Sequence, residues 1–288
     1  MTAGVDSSAE GVGGRPRLVG PVRGLIGVYV QEARNAIAEQ FQYRVANYFY
    51  MIGMVAEPVI YLVVWTTIAE QQGGSVGGIT VGQFAAYYIV WTLVRNMNIV
   101  FTPYGWEWRI REGQLSAALL RPLFPIVSDI GAFAGWKFVV IVLWLPLAAV
   151  LALIFQPQIT PSVVEIGVFG LAIWGAYLIR SVNQSTVGLA TFWTTRVGPL
   201  FELYMLVELL LSGRLVPMSL MPEPVQAVAA VLPFYWTFGF PIEALVGTLT
   251  TEQLFGGLAM QLFWISVGAV VLRLSWRAAV RRYGAVGG

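Results

Sequence analysis

Chemistry in this sequence rests on carboxylates and guanidinium groups, because it contains no histidine and no cysteine. Their absence excludes disulfide frameworks, thiolate nucleophiles, Cys/His zinc sites and imidazole acid–base catalysis. A phosphate-binding loop needs Gly-Lys-Ser/Thr at a strand-to-helix turn, and the single lysine, Lys137, stands instead between Trp136 and Phe138. No cofactor, metal or catalytic residue is therefore expected in this chain. What remains are ionisable groups embedded in apolar runs: Glu57, Arg95, Arg180, Glu202 and Glu208. At the centre of a spanning helix such a group costs about 2.5–3.5 kcal/mol on the insertion scale, so each needs a partner, an aqueous cavity or reach to the interface.

The elements that must position these groups are hydrophobic. The chain is 57% apolar and 11% charged, whereas a soluble domain carries roughly a quarter charged residues. Six stretches reach the ~20 apolar residues of a membrane-spanning helix: 46–69, 83–103, 128–155, 163–192, 198–216 and 254–276. Six spans put both termini on one side. Arginine fixes that side, since cytoplasmic connections are enriched in basic residues. Arg15, Arg17, Arg23, Arg34 and Arg44 precede the first span; Arg109, Arg111 and Arg121 follow the second; Arg196 follows the fourth; Arg273, Arg277, Arg281 and Arg282 close the chain. Of the other connections only the one holding Arg214 has a basic residue. Both termini are expected in the cytoplasm, in a multi-pass protein of the bacterial plasma (inner) membrane.

Residues 1–20, rich in Gly, Ser, Ala and Arg, lack the apolar core of a cleaved signal peptide and are expected to be a disordered cytosolic tail. Over 21–44, Val22, Leu25, Ile26, Tyr29, Val30, Ala33, Ile37 and Phe41 recur at helical spacing opposite Gln31, Glu32, Arg34 and Glu39. This is the pattern of a helix lying in the membrane interface or packed on a cytosolic partner. The six-span domain covers 45–276, and 277–288 form a basic cytosolic tail.

Each embedded charge has two readings. Arg95, near Asn96 and Asn98, either meets an anionic substrate group or snorkels to the inner interface. Glu202 and Glu208 either face a pathway or, for Glu202, sit at the headgroups. Arg180, followed by Asn183, Gln184 and Ser185, is expected to pair with Glu57, giving an intramembrane polar network of Glu57, Arg180 and Asn183. Glu57-Pro58 predicts a kink. Asp129 and Lys137 are expected at the interface. Two connections stand out. Segment 104–125 carries Glu107, Arg109, Arg111, Glu112, Gly113, Leu115 and Arg121 beside Trp106 and Trp108, a charged, aromatic-flanked handle for a cytosolic partner or a solvated turn. Segment 217–250 is apolar yet broken by Pro217, Pro222, Pro224, Pro233 and Pro241. Interior proline forbids a straight span, so two short helices near 223–232 and 239–249 are predicted, as a re-entrant outer hairpin.

This order resembles the permease of ABC-2-type exporters, in particular the smaller subfamily whose permeases often occur in pairs. The residues that carry the likeness are Leu211-Ser212-Gly213 through Pro217, Leu232-Pro233-Phe234-Tyr235, Pro241-Ile242-Glu243, and Glu112-Gly113-Gln114-Leu115 with Leu120-Arg121-Pro122. The resemblance implies an all-α integral membrane fold of the type V exporter kind, with six spans, an N-terminal interfacial helix and the outer hairpin. It implies a dimer, with a second copy or a paralogous permease, on separate ABC ATPase subunits that bind ATP and Mg. It also implies coupling through 104–125 and a route lined by spans two and five, at Arg95, Asn98, Phe101, Glu202, Tyr204, Met205 and Glu208. Membrane lipids are expected as partners; nucleic acid is not. The competing reading is an ion-gradient-driven secondary transporter in which Glu57, Glu202 or Glu208 titrates; only one region is broken, however, and no inverted repeat is evident.

Overall fold

A computed structural model describes residues 44–120, 124–194 and 196–283, preceded by isolated positions 27, 30, 31, 34 and 35. The expected tail 1–20, most of the interfacial helix 21–44, Arg121 and residues 284–288 lie outside the described residues.

The described chain is almost entirely helical. Helix α1 (Arg44–Gln71) continues through Pro58, and a Gly-rich turn then forms a minimal antiparallel hairpin, β1 (Ser75–Val76) with β2 (Ile79–Thr80). Thr80 starts α2 (Val81–Met97): its hydroxyl accepts from the Gln83 N–H while the Gln83 side chain accepts from the Thr80 N–H, so two orphan donors of the first turn are satisfied reciprocally. Thr102 and Pro103 then open α3 (Pro103–Arg111), proline being suited to a first turn where no N–H is needed. Next come α4 (Gln114–Leu119), α5 (Pro125–Phe155), α6 (Val163–Leu189), α7 (Gly198–Leu211), α8 (Glu223–Val231), α9 (Gly239–Val246) and α10 (Thr251–Val280). Ser162/Glu165 and Thr250/Gln253 make the same reciprocal cap at the starts of α6 and α10.

Among the described residues, three helices are long and apolar enough to cross a membrane: Pro125–Phe155, Val163–Phe192 with its terminal turn, and Thr251–Val280. Their exteriors are apolar; on α5, Phe138, Val142, Leu145 and Leu153 all point outward. Such a continuous apolar exterior suits lipid rather than water. Helix α6 packs most extensively on α10, and α1 on α2. Gln261 of α10 donates to the Ala172 carbonyl of α6 (2.9 Å) and to the Trp236 carbonyl of the hairpin (2.8 Å), tying three elements together.

Of the other three expected spans, the helix over 46–69 is present as α1, and two are shorter than expected. The second, expected over 83–103, stops at Met97. The fifth, expected over 198–216, has 14 residues and rises only about 21 Å, against a hydrocarbon core of ~30 Å. Gly213 explains that stop: at φ +78° it holds the left-handed conformation that commonly ends a helix and that L side chains resist. The two helices expected in the hairpin are present as α8 and α9, joined by a 3-10 turn at Tyr235–Thr237.

The irregular chain after α7 is held from α2. Tyr87 Oη donates to the Gly213 carbonyl at 2.7 Å, Tyr88 Oη to the Leu215 carbonyl at 3.0 Å, and the Gly239 N–H to the Ser212 carbonyl at 2.8 Å. Tyr87 and Tyr88 are buried. Replacing Tyr87 by Phe strands a buried acceptor, which costs about 1–3 kcal/mol; Tyr87→Phe is expected to melt at lower temperature than the parent in detergent, and an unchanged melting temperature would show that the bond does not hold this segment.

Candidate functional site

Helix α2 ends inside the bundle, which leaves carbonyl oxygens of its last turn without intrahelical donors. Two cations from neighbouring helices fill the gap. Lys137 of α5, fully buried, donates Nζ to the Asn96 carbonyl at 3.3 Å and also bonds the Ile99 carbonyl; its ammonium lies 4.7 Å from the Trp136 ring centroid and 5.1 Å from that of Tyr177. Arg180 of α6 donates Nη1 to the Asn98 carbonyl at 2.7 Å. Positive charge at a helix C-terminus is favourable both by hydrogen bonding and by the helix dipole.

Arg180 also grips α7. Its Nε and Nη2 reach the two oxygens of Glu208 at 3.0 and 2.9 Å, a two-pronged pairing that matches guanidinium to carboxylate geometry. Glu208 is fully buried. Met205 Sδ lies 3.7 Å from Nη2, and Tyr204 Oη lies 3.4 Å from Glu208. Asn98 completes the knot by donating Nδ2 to the Thr237 carbonyl at 2.6 Å, which joins α2 to the hairpin. Four elements thus meet at one ion pair.

A second charge cluster is separate from the first. Glu57 of α1 accepts from Arg214 Nη2 at 2.8 and 3.1 Å and from Arg95 of α2. The two guanidinium carbons sit 5.8 and 5.9 Å from the Trp91 ring centroid, so an aromatic face and one carboxylate share two cations.

These arrangements correct several expectations. Glu57 and Arg180 do not pair: α1 packs on α2, whereas α6 packs on α10, α9 and α3, and each charge takes the partner its own neighbours supply. Arg214 is not a lone charge in an outer connection but the counter-ion of Glu57. Lys137 is fully buried and the Asp129 side chain 14% exposed, so both face protein partners. Asp129 holds Arg109 through two bonds of 2.8 and 2.9 Å. Glu202 is exposed and Glu208 buried, because six residues turn the helix by about 240°. Among the expected route residues, Asn98, Tyr204, Met205 and Glu208 converge on Arg180, while Arg95 belongs to the Glu57 cluster and Phe101 packs edge-on against Trp106 and Phe133. Asn183 lines a cavity of about 240 Å³ with Tyr204 and Phe234.

The 104–125 segment divides into an inward and an outward face. Trp106 and Leu115 are fully buried, and the Trp106 ring lies so close to Gly188 of α6 that a Cβ there would stand 2.7 Å from it. Arg109, besides binding Asp129, lies 4.3 Å from the Phe101 ring centroid. Glu107 accepts from the Val197 N–H at 2.8 Å and from Arg111 at 3.1 Å; the amide bond at Val197 is the main influence holding its carboxyl below the ordinary range. Ser116 meets Tyr283 of the tail at 2.6 Å. Facing outward are Trp108, Arg111, Glu112, Gln114 and Leu120, the last 88% exposed. Gly113, at φ +70°, sets the angle between α3 and α4.

The contacts that sequence reasoning missed were those of Lys137, Asp129, Trp106 and Tyr283. A lysine flanked by aromatics within an apolar run was the one available sign; nothing local announced the others.

A charge-paired, mainly helical bundle with apolar exteriors is a membrane protein, and comparison with known families specifies which kind. A sequence profile described as "ABC-2 family transporter protein" matches residues 55–287. The chain belongs to that family: it is the membrane component of an ABC transporter, a transport subunit and not itself a catalytic enzyme. Membership implies association with ABC ATPase subunits. No individual curated protein matches it significantly.

Removing one partner of a buried ion pair leaves an uncompensated charge and costs about 3–5 kcal/mol. Arg180→Met and Glu208→Met are each expected to destabilise strongly, with the double variant far less destabilised than the sum. Arg180→Met combined with Glu57→Gln is expected to be additive within about 0.5 kcal/mol. Unfolding free energies for the two cycles check both statements; strong coupling in the second cycle would restore the Glu57–Arg180 network.

Proposed function

We propose that this chain forms, as a dimer with a second copy or a paralogous permease, the translocation pathway of an ATP-driven exporter for hydrophobic, amphiphilic or drug- and lipid-like substrates. Both termini and the α3–α4 segment face the cytoplasm, where separate ATPase subunits push on α3–α4.

The observation that supports this reading best is the two-faced build of α3–α4. Its inner face is anchored to α5 by Arg109–Asp129, to α6 by Trp106 over Gly188, and to the tail by Ser116–Tyr283. Its outer face presents Trp108, Arg111, Glu112 and Leu120. A force applied outside would reach α5, α6 and the tail through these contacts. Coupling of this kind requires a two-state element that the nucleotide states bias differently, and the permease dimer interface fills that role. The gradient-driven alternative needs Glu57, Glu202 or Glu208 to titrate; Glu57 and Glu208 are each engaged by arginine, which leaves the exposed Glu202 as its candidate.

Gentle extraction from native membranes is expected to yield a stoichiometric ATPase with a phosphate-binding loop; a chain that emerges alone would overturn the proposal. Surface substitutions such as Glu112→Ala and Leu120→Asp should change stability by no more than about 0.5 kcal/mol. They are expected to impair capture of the ATPase, or its coupling to transport, with the permease still folded. Leu115→Asp, at a buried position, is expected to fail to fold.

A further inference from the structure

The hairpin encloses a feature that the transport reading does not use. Between the β1–β2 turn, the start of α2, and α8, α9 and α10 lies a cavity of about 600 Å³, within the size range of small-molecule sites. Its lining includes Gln83, Ser219, Gln226 and Thr248. One formal charge faces it: Glu243 of α9. No lysine or arginine lines it. Tyr235 Oη donates to Glu243 Oε2 at 2.6 Å, and the Met218 N–H faces the same carboxyl group. Oε1 has no hydrogen bond of good geometry and almost no accessible surface. Tyr87, also at the wall, has already committed its hydroxyl proton to the Gly213 carbonyl. The Glu243 carboxyl group therefore lines the cavity with no cationic partner beside it.

Beside this cavity is another of about 440 Å³, and Tyr235, Leu249 and Gln253 line both. The second is aromatic and open-floored. Trp236 and Phe240 form its wall, and a Cβ added at Gly256 would meet nothing within 4 Å. Glu252 is the charged residue among its lining. A compartment with a carboxyl group thus adjoins one with π faces, and neither has a cation in its lining to repel a positive ligand. Aromatic faces and carboxylates together favour organic cations.

We propose that the paired cavities are a binding site for an arylalkylammonium-type ligand, its ammonium paired with the Glu243 carboxyl group and its apolar body lodged against Trp236. The site is built by the hairpin and the ends of α2 and α10, and it requires neither the ATPase nor a transport step. Its failure and that of the exporter reading are therefore separable.

The test uses the full chain in lipid nanodiscs, with equilibrium dialysis of 1-naphthylmethylamine against empty nanodiscs. Saturable binding is expected, and the neutral isostere 1-naphthylmethanol is expected to bind about tenfold more weakly or worse, the loss of one charged hydrogen bond. Glu243→Gln, which keeps an acceptor for Tyr235, is expected to lower amine affinity to a similar extent, and Glu70→Gln, at an exposed position on α1, to leave it unchanged. Equal binding of amine and alcohol by the parent chain would overturn the assignment without recourse to any variant. Undiminished amine binding by Glu243→Gln, or no saturable amine binding at all, would do the same.

Discussion

Every buried peptide group in a bundle that excludes water must find a partner, because an unsatisfied one costs several kcal/mol. A continuous helix meets that demand alone. This protein breaks two helices inside its bundle, α2 after Met97 and α7 after Leu211, and the rest of its architecture answers the breaks. Lys137 and Arg180 cap the exposed carbonyls of α2. Tyr87 and Tyr88, carried on α2, do the same for the chain leaving α7. Each break is thereby sealed by the helices around it, and α2 is at once repaired and repairing.

Arg180 is the group through which these repairs are coordinated. It bonds the end of α2, neutralises Glu208 on α7, and lies 5.4 Å from the ring centroid of Phe238 in the hairpin. Motion of α7 against α6 must therefore either carry Arg180 along or break a buried ion pair. The Glu57–Arg95–Arg214 cluster acts likewise between α1, α2 and the segment after α7. Two charge clusters thus hold α7 and the segment after it against α6, α1 and α2.

The handle and the hairpin lie at opposite ends of α2 and α6 in the chain path. Trp106 presses on Gly188 near the end of α6, and Glu165 at its start lies beside Gly247 at the end of α9. One long helix thus touches both α3–α4 and the hairpin, while α2 bonds the hairpin through Asn98 and the segment after α7 through Tyr87.

Composition and spacing by themselves determined that the chain is helical and membrane-embedded, where its long apolar helices run, that prolines split the 217–250 region into two short helices, and which family it joins. These properties depend on local runs of apolar residues and on caps such as Thr80/Gln83, whose physics acts within a few residues. Helix ends were legible only in part: the apolar character of 98–103 masked the stop after Met97, and that of Leu215 and Val216 masked the stop after Leu211. Charge pairing was not legible at all. Arg180 had several carboxylates within reach of a plausible bundle, and Glu57 and Glu208 were equivalent by composition. Helix packing made the choice, placing α7 beside α6 and the segment after α7 beside α1. Coulomb attraction acts over a few ångströms of space in a low-dielectric interior, so the partner of each buried charge, the inward turn of Lys137 and the place of Glu243 in the cavity wall were fixed only once the tertiary structure brought distant segments together.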